Sequence, residues 1–231
     1  QASFGAADYD ALSDLGHEQA AINADYLQRS GLVIDAVYSG SLKRQQETAQ
    51  ALVDAYARAG RPLPEIITDP GFNELENEQQ IAVLAPILQQ DNSQLRSLLE
   101  SNPQSKKDFQ KILKIIFNYW VLDQPDVEGL ESWQAFSARV SQSLRNIVEQ
   151  QGSGKTVVVS TSGGVIATIA AQVLRMHDSG VYPLFEPILN ASITRLLYNG
   201  VGDVSLSYFN DCGFLRAAAI ETRRNDLITY R

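Results

Sequence analysis

The chain has 231 residues, 44% hydrophobic and 20% charged, with 15 Gly and 8 Pro; this composition excludes a disordered or fibrous protein and leaves enough chain to bury a substantial core. Its 27 acidic residues against 19 basic ones give a net charge of −8 with no Lys/Arg-rich run, so nucleic acid, which is bound through basic patches, is not an expected partner. The densest apolar stretch, Ile112 to Val121, is broken by Lys114 and Asn118 and falls short of the roughly 20 residues of a membrane span; no membrane partner is expected. The single cysteine, Cys212, cannot form an internal disulfide, which fits a reducing setting, and the expected location is cytoplasmic.

A helix is predicted from Asp14, with apolar residues at Ala20, Ile22, Ala24 and Leu27 and Gly31 as its stop. Val33 to Tyr38 reads as a strand that ends in Ser39-Gly40-Ser41 and passes directly into a helix over Leu42 to Ala59. A Pro/Gly-rich loop with an edge strand at Ile66 and Ile67 comes next. From Glu76 to Pro125 the pattern is helical, with a wide apolar stripe at Ile112, Ile115, Ile116, Tyr119 and Trp120. We read residues 76–128 as a helical cap inserted in a single domain that spans 1–231.

Trp133, Phe136, Val140, Leu144 and Ile147 line one face of the next helix as core. Thr156 to Ser160 is an unalternating apolar run, the pattern of a strand buried on both faces of a parallel sheet. Gly163-Gly164 opens a helix running to about Met176. Ile193 to Tyr198 and Val204 to Phe209 read as a hairpin, and Asp226 to Arg231 as a further edge strand. Strands alternating with helices give an α/β layered fold with a mostly parallel sheet.

Gly152-Ser153-Gly154-Lys155-Thr156 ends like a nucleotide-binding phosphate loop, but the first Gly of that motif would fall at Glu149, and the segment comes after a helix and opens a strand. It reads as a connector. Two other turns have the right context, since Ser39-Gly40-Ser41 and Ser162-Gly163-Gly164 each leave a strand and start a helix, aiming free N–H groups at an anion. Helix capping by Ser39, Ser41 and Ser162 is the competing account. Arg44 lies in a first helical turn, where a cation opposes the helix dipole, and its guanidinium can clamp a phosphate bidentately; a solvated surface Arg beside Lys43 is the alternative. Glu74, in Gly71-Phe72-Asn73-Glu74-Leu75, is placed to act as a general acid if partly buried, although Glu76 and Glu78 also allow a solvated acidic run. The two histidines, His17 and His177, read as surface or capping residues.

Four segments resemble the phosphoglycerate mutase-like branch of the histidine phosphatases: Leu12-Ser-Asp-Leu-Gly-His-Glu-Gln-Ala20; Val37-Tyr-Ser-Gly-Ser-Leu-Lys-Arg44-Gln-Gln-Glu-Thr-Ala49; Phe72-Asn-Glu74; and Val157-Val-Val-Ser-Thr-Ser-Gly-Gly-Val-Ile166. The resemblance implies a three-layer α/β sandwich and a phosphomonoesterase that works without metal or other cofactor on a small phosphorylated substrate. A homodimer is compatible with it. In that family the His of an Arg-His-Gly motif attacks phosphorus. The resemblance makes Arg44 a catalytic phosphate ligand and Glu74 the catalytic acid, with Ser162, Gly163 and Gly164 binding phosphate. Two departures accompany it. Gln1 to Gly5 resembles the stretch immediately after Arg-His-Gly in some relatives, so the first strand and the nucleophile are expected upstream of Gln1 and the chain as written is expected to be inactive. Ser162 stands where relatives commonly carry a second His, which lowers the expected rate and leaves open a catalytically weak phosphate-binding or protein-interaction module. Nothing in the sequence identifies a carboxylate site for mutase chemistry.

Overall fold

The computed structural model describes residues 10–101, 105–123, 125–199 and 201–230. Helix α1 (Asp14–Arg29) begins at Ser13, whose hydroxyl accepts from the Gly16 amide, and runs into Gly31 at φ +77°. Strand β1 (Ala36–Ser39) is next, then α2 (Lys43–Arg58) and β2 (Ile66–Thr68). Helices α3 (Asn77–Leu88), α4 (Ser93–Glu100) and α5 (Lys106–Leu122) fill the predicted helical stretch. Helix α6 (Trp133–Gln151) leads to β3 (Val157–Ser160) and α7 (Gly163–Val173), and short α8 (Val181–Phe185) precedes the antiparallel pair β4 (Ile193–Tyr198) and β5 (Val204–Asp211). The final helix, α9 (Gly213–Thr222), has no counterpart among the predicted elements. Its core contacts are confined to Phe214 and Leu215, after which alanines carry no apolar periodicity.

Strands β2, β1 and β3 form a parallel sheet in that order, with Ser39 opposite both Thr68 and Ser160. Successive strand residues point to opposite faces, and the core divides accordingly. Val37 and Val158 pack with Ala24, Ala49, Leu52 and Tyr56 from α1 and α2. Ala36, Tyr38, Val157 and Val159 face the larger cluster built from α3, α5, α6, α7 and α8. The molecule is thus an α/β structure of three layers. Strand β3 is less enclosed than its sequence suggests: Val157, Val158 and Val159 are half-buried, because among the described strands only β1 pairs with it.

The helical stretch after Glu76 is fixed to the larger cluster. Ile112, Ile116, Phe117, Trp120 and Val121 are buried, and the Trp120 indole donates to the Glu131 carbonyl at 2.8 Å. Most of the apolar stripe of α5 therefore faces the core, with Ile115 and Tyr119 half-buried. At the C-terminal tail the predicted strand reduces to one antiparallel bridge, Leu189 to Tyr230, because the Asn190 and Gln19 side chains take up the neighbouring chain groups. The connector before β3 behaves as its context predicts: Lys155 pairs with Asp35 at 2.9 Å, and the Asp35 carboxylate accepts from the Thr156 amide. Those two interactions hold the Asp35 carboxyl below the usual carboxylate range, the amide being the larger cause.

Candidate active site

The predicted residues lie just beyond the carboxyl ends of three adjacent parallel strands, the position at which ligands bind in open α/β sheets. Strand β1 leads to Gly40 and Arg44, β2 to Glu74, and β3 to Ser162 and Gly163. The strand ends are tied together by the Gly40 amide donating to the Ser160 carbonyl at 3.2 Å and the Asp69 amide to the Ser39 carbonyl at 2.8 Å.

None of the three serines caps its helix in the ordinary way. The Ser39 hydroxyl donates to the Gly40 carbonyl, and Ser41 Oγ accepts from the Asn73 amide. Ser162 is the N-cap of α7 by backbone position but makes no side-chain cap bond. Its Oγ accepts from Gln45 Nε2 at 2.8 Å instead. Gly163 contributes a first-turn N–H, which lacks an acceptor inside its own helix.

Arg44 is held, with 12% of its side chain exposed, by Asp10: Nη1 donates to Oδ1 at 2.7 Å. The same carboxylate accepts from the Lys43 amide at 2.9 Å, and the Asp10 carbonyl accepts from the Arg44 amide. A carboxylate at the start of α2 explains how two cations are tolerated in its first turn, since it offsets their opposition to the helix dipole. It also shows that the start of α2 and Arg44 together hold an oxygen anion. The solvated-surface alternative for Arg44 does not describe this geometry.

Glu74 is 9% exposed, so it is not part of a solvated acidic run. Both carboxylate oxygens accept from the Gly164 amide, at 3.0 and 3.1 Å, and Oε1 also accepts from the Leu75 amide. This corrects one expectation: the Gly164 N–H is directed at Glu74 and not at a phosphoryl oxygen. A Cβ at Gly164 would lie 2.2 Å from Glu74 Oε1 and 2.6 Å from Leu75 Cδ2, so glycine is required there by close approach.

Periodicity and motif spacing missed the residues that hold the loop before Glu74. The Phe72 carbonyl accepts from Gln45 Nε2 and from the Thr161 hydroxyl. Asn73 bridges to Ser41 through both atoms of its amide. Arg139 Nη1 donates to the carbonyls of Gly71 and Asn73 while its guanidinium forks onto Glu131 and lies 4.5 Å over the Phe136 ring.

The two histidines lie elsewhere. His17 Nε2 is 3.8 Å from Glu47, and His177 accepts from the Ser179 amide at the start of a short 3-10 turn. Among the described residues no cluster of three or more His, Cys, Asp or Glu is placed to hold a metal, and no helix is long and apolar enough to cross a membrane. The expected continuation of an upstream Arg-His-Gly into Gln1 to Gly5 lies outside the described residues.

Strand ends, helix starts and an arginine that holds the Asp10 carboxylate meet at the carboxyl end of the parallel sheet in this α/β protein. The family model of the histidine phosphatase superfamily (branch 1) matches residues 3–81 and 103–211, and the chain belongs to that superfamily. Solved structures with the same fold include an alpha-ribazole phosphatase from Shigella flexneri (21% identity, TM-score 0.56, 87% of this chain and 84% of that one). A phosphoserine phosphatase from Entamoeba histolytica (21%, TM-score 0.57, 87% and 84%) and a phosphoglycerate mutase from Bacillus anthracis (17%, TM-score 0.60, 88% and 83%) are similar in the same way. No curated protein sequence matches the chain.

Proposed function

We propose that the protein hydrolyses a small phosphomonoester through a phosphohistidine intermediate, with the nucleophilic imidazole that the family resemblance implies. The observation that carries this reading is the placement of Arg44, Glu74 and Ser162 just beyond the carboxyl ends of three adjacent parallel strands. Arg44, once its contact with Asp10 gives way to substrate, binds two phosphoryl oxygens in its fork. The Ser162 hydroxyl and the Gly163 amide donate to the third. The imidazole nitrogen forms the bond to phosphorus as the ester P–O bond breaks, and Glu74 delivers its proton to the departing alkoxide. In the second half, Glu74 takes a proton from water as the water oxygen attacks phosphorus and the P–N bond breaks, releasing inorganic phosphate. Helices α3 to α5 act as the cap that selects the substrate.

Replacing Arg44 by Ala in the protein expressed from its full coding sequence is expected to lower kcat/KM for an aryl phosphate by about tenfold or more, the loss of one charge-assisted contact, with the melting temperature retained. An unchanged kcat/KM removes Arg44 from the site. Ser162 in the position where relatives commonly carry a His favours a second reading, a phosphate-binding module with little turnover. Phosphate binding without ester hydrolysis by the full-length protein would select it.

A further inference from the structure

The proposed chemistry leaves one buried polar side chain of the site without a task. Gln45 is 2% exposed, and its Nε2 donates both to the Phe72 carbonyl at 3.0 Å and to Ser162 Oγ at 2.8 Å. The carbonyl oxygen of Phe72 can only accept, so the carboxamide cannot turn about: its rotated form would set oxygen against oxygen. Held this way round, Gln45 Oε1 is buried without a hydrogen-bond partner. It lies against Gly40, where the Cβ of any other residue would come within 1.9 Å of it. A buried acceptor left unsatisfied costs stability, and its presence in a native structure calls for an explanation. An apolar side chain of the same length would fill the space without that cost.

The explanation lies at Ser162. A hydroxyl that accepts from Gln45 keeps its own proton for another acceptor, and among the described residues Ser162 Oγ donates to none. It is also excused from capping α7. We propose that Gln45 is a positioning residue that turns the Ser162 hydroxyl outward as a hydrogen-bond donor to the phosphoryl group. The proposal rests on the reading of this site as a phosphate site. It gives the serine a fixed direction, which a lone hydroxyl on a freely rotating bond lacks, and preorganised donors are the ones that stabilise developing charge. The arrangement joins residues 117 positions apart in the chain.

A double-mutant cycle on the protein expressed from its full coding sequence tests the role, with Gln45→Met, Ser162→Ala and the double variant assayed for aryl phosphate hydrolysis and for inorganic phosphate affinity by calorimetry. Each single variant is expected to lose about tenfold in kcat/KM and a similar factor in phosphate affinity, the loss of one hydrogen bond to a charged group, and the double variant to lose no more than either. Should Gln45→Met not fold, Gln45→Asn, which keeps the amide but withdraws it by one methylene, is expected to lower kcat/KM in the Ser162 protein and to leave it unchanged in Ser162→Ala. A purely structural Gln45 would act equally in both backgrounds. Losses that multiply, in a wild type that binds phosphate and hydrolyses the ester, overturn the positioning role alone. A wild type that neither binds nor hydrolyses overturns the site reading and this proposal with it.

Discussion

At the level of single residues, the site is built by close approach as much as by charge. Gly164 admits the Glu74 carboxylate to its amide because it has no Cβ. Gly164→Ala is therefore expected to displace Glu74, to destabilise the fold by about 1–3 kcal/mol through overpacking, and to depress kcat more than that loss alone would. Chemical denaturation together with steady-state kinetics checks both halves; a fully active, fully stable alanine variant would contradict the geometry. Ser162→His offers a second test, since an imidazole titrates near pH 6.5 and serine does not. The variant is expected to turn over as well as or better than the parent and to gain a pH dependence of kcat/KM in that region. A large loss at every pH would mean the pocket is packed around the hydroxyl and its Gln45 partner.

Arg44, Glu74 and Ser162 could be singled out in the sequence because each breaks a local rule or belongs to a short motif: a cation in a first helical turn, a carboxyl in a loop after a strand, a serine before two glycines. Asp10, Gln45 and Arg139 could not. Their roles come from partners 34, 117 and 66 to 68 positions away, and no local periodicity encodes a contact of that kind. The direction of the Gly164 amide was equally hidden, because a helix start facing an external anion and one facing an internal carboxylate have the same sequence.

Among the elements, the parallel strands and the helices that open from them track the apolar runs closely: the predicted helix over 42–59 is α2 over Lys43–Arg58. Local pattern is a weaker guide where tertiary packing decides. Helix α9 lacks a periodic apolar face and is held through Phe214 and Leu215. The α5 stripe is apolar by pattern, and the burial of Ile112, Ile116 and Trp120 places most of it in the core. Trp120→Ala is expected to destabilise the fold by about 3–5 kcal/mol, because the indole packs edge-on against Phe117, Trp133 and Phe136 and its loss leaves the Glu131 carbonyl without its donor. A denaturation midpoint that stays put would show the stripe to be dispensable.

The connector before β3 carries a pH-dependent contribution. Asp35 binds its proton more weakly in the folded chain than the ordinary value of 3.8, so the stabilisation is present above that value and is lost as the pH falls below it. Asp35→Asn should accordingly lower the melting temperature at neutral pH, with the gap from the parent closing in acid below the ordinary carboxylate range. A gap that persists there would place the effect in packing and not in charge.

For the whole molecule, three parallel strands end together at one side of the sheet, and the side chains proposed to handle the phosphoryl group are gathered there. Helices α3 to α5 share one core with α6, α7 and α8, so the segment proposed as the cap is built into the sheet's own packing. Membership of the histidine phosphatase superfamily and this convergence point the same way. The deciding measurement is phosphoenzyme trapping during aryl phosphate hydrolysis, on protein expressed from its full coding sequence. A phosphohistidine route requires phosphate release together with an acid-labile, base-stable phosphoprotein, both lost or strongly reduced in Arg44→Ala. Release of no phosphate, or turnover with no acid-labile phosphoprotein, would contradict it.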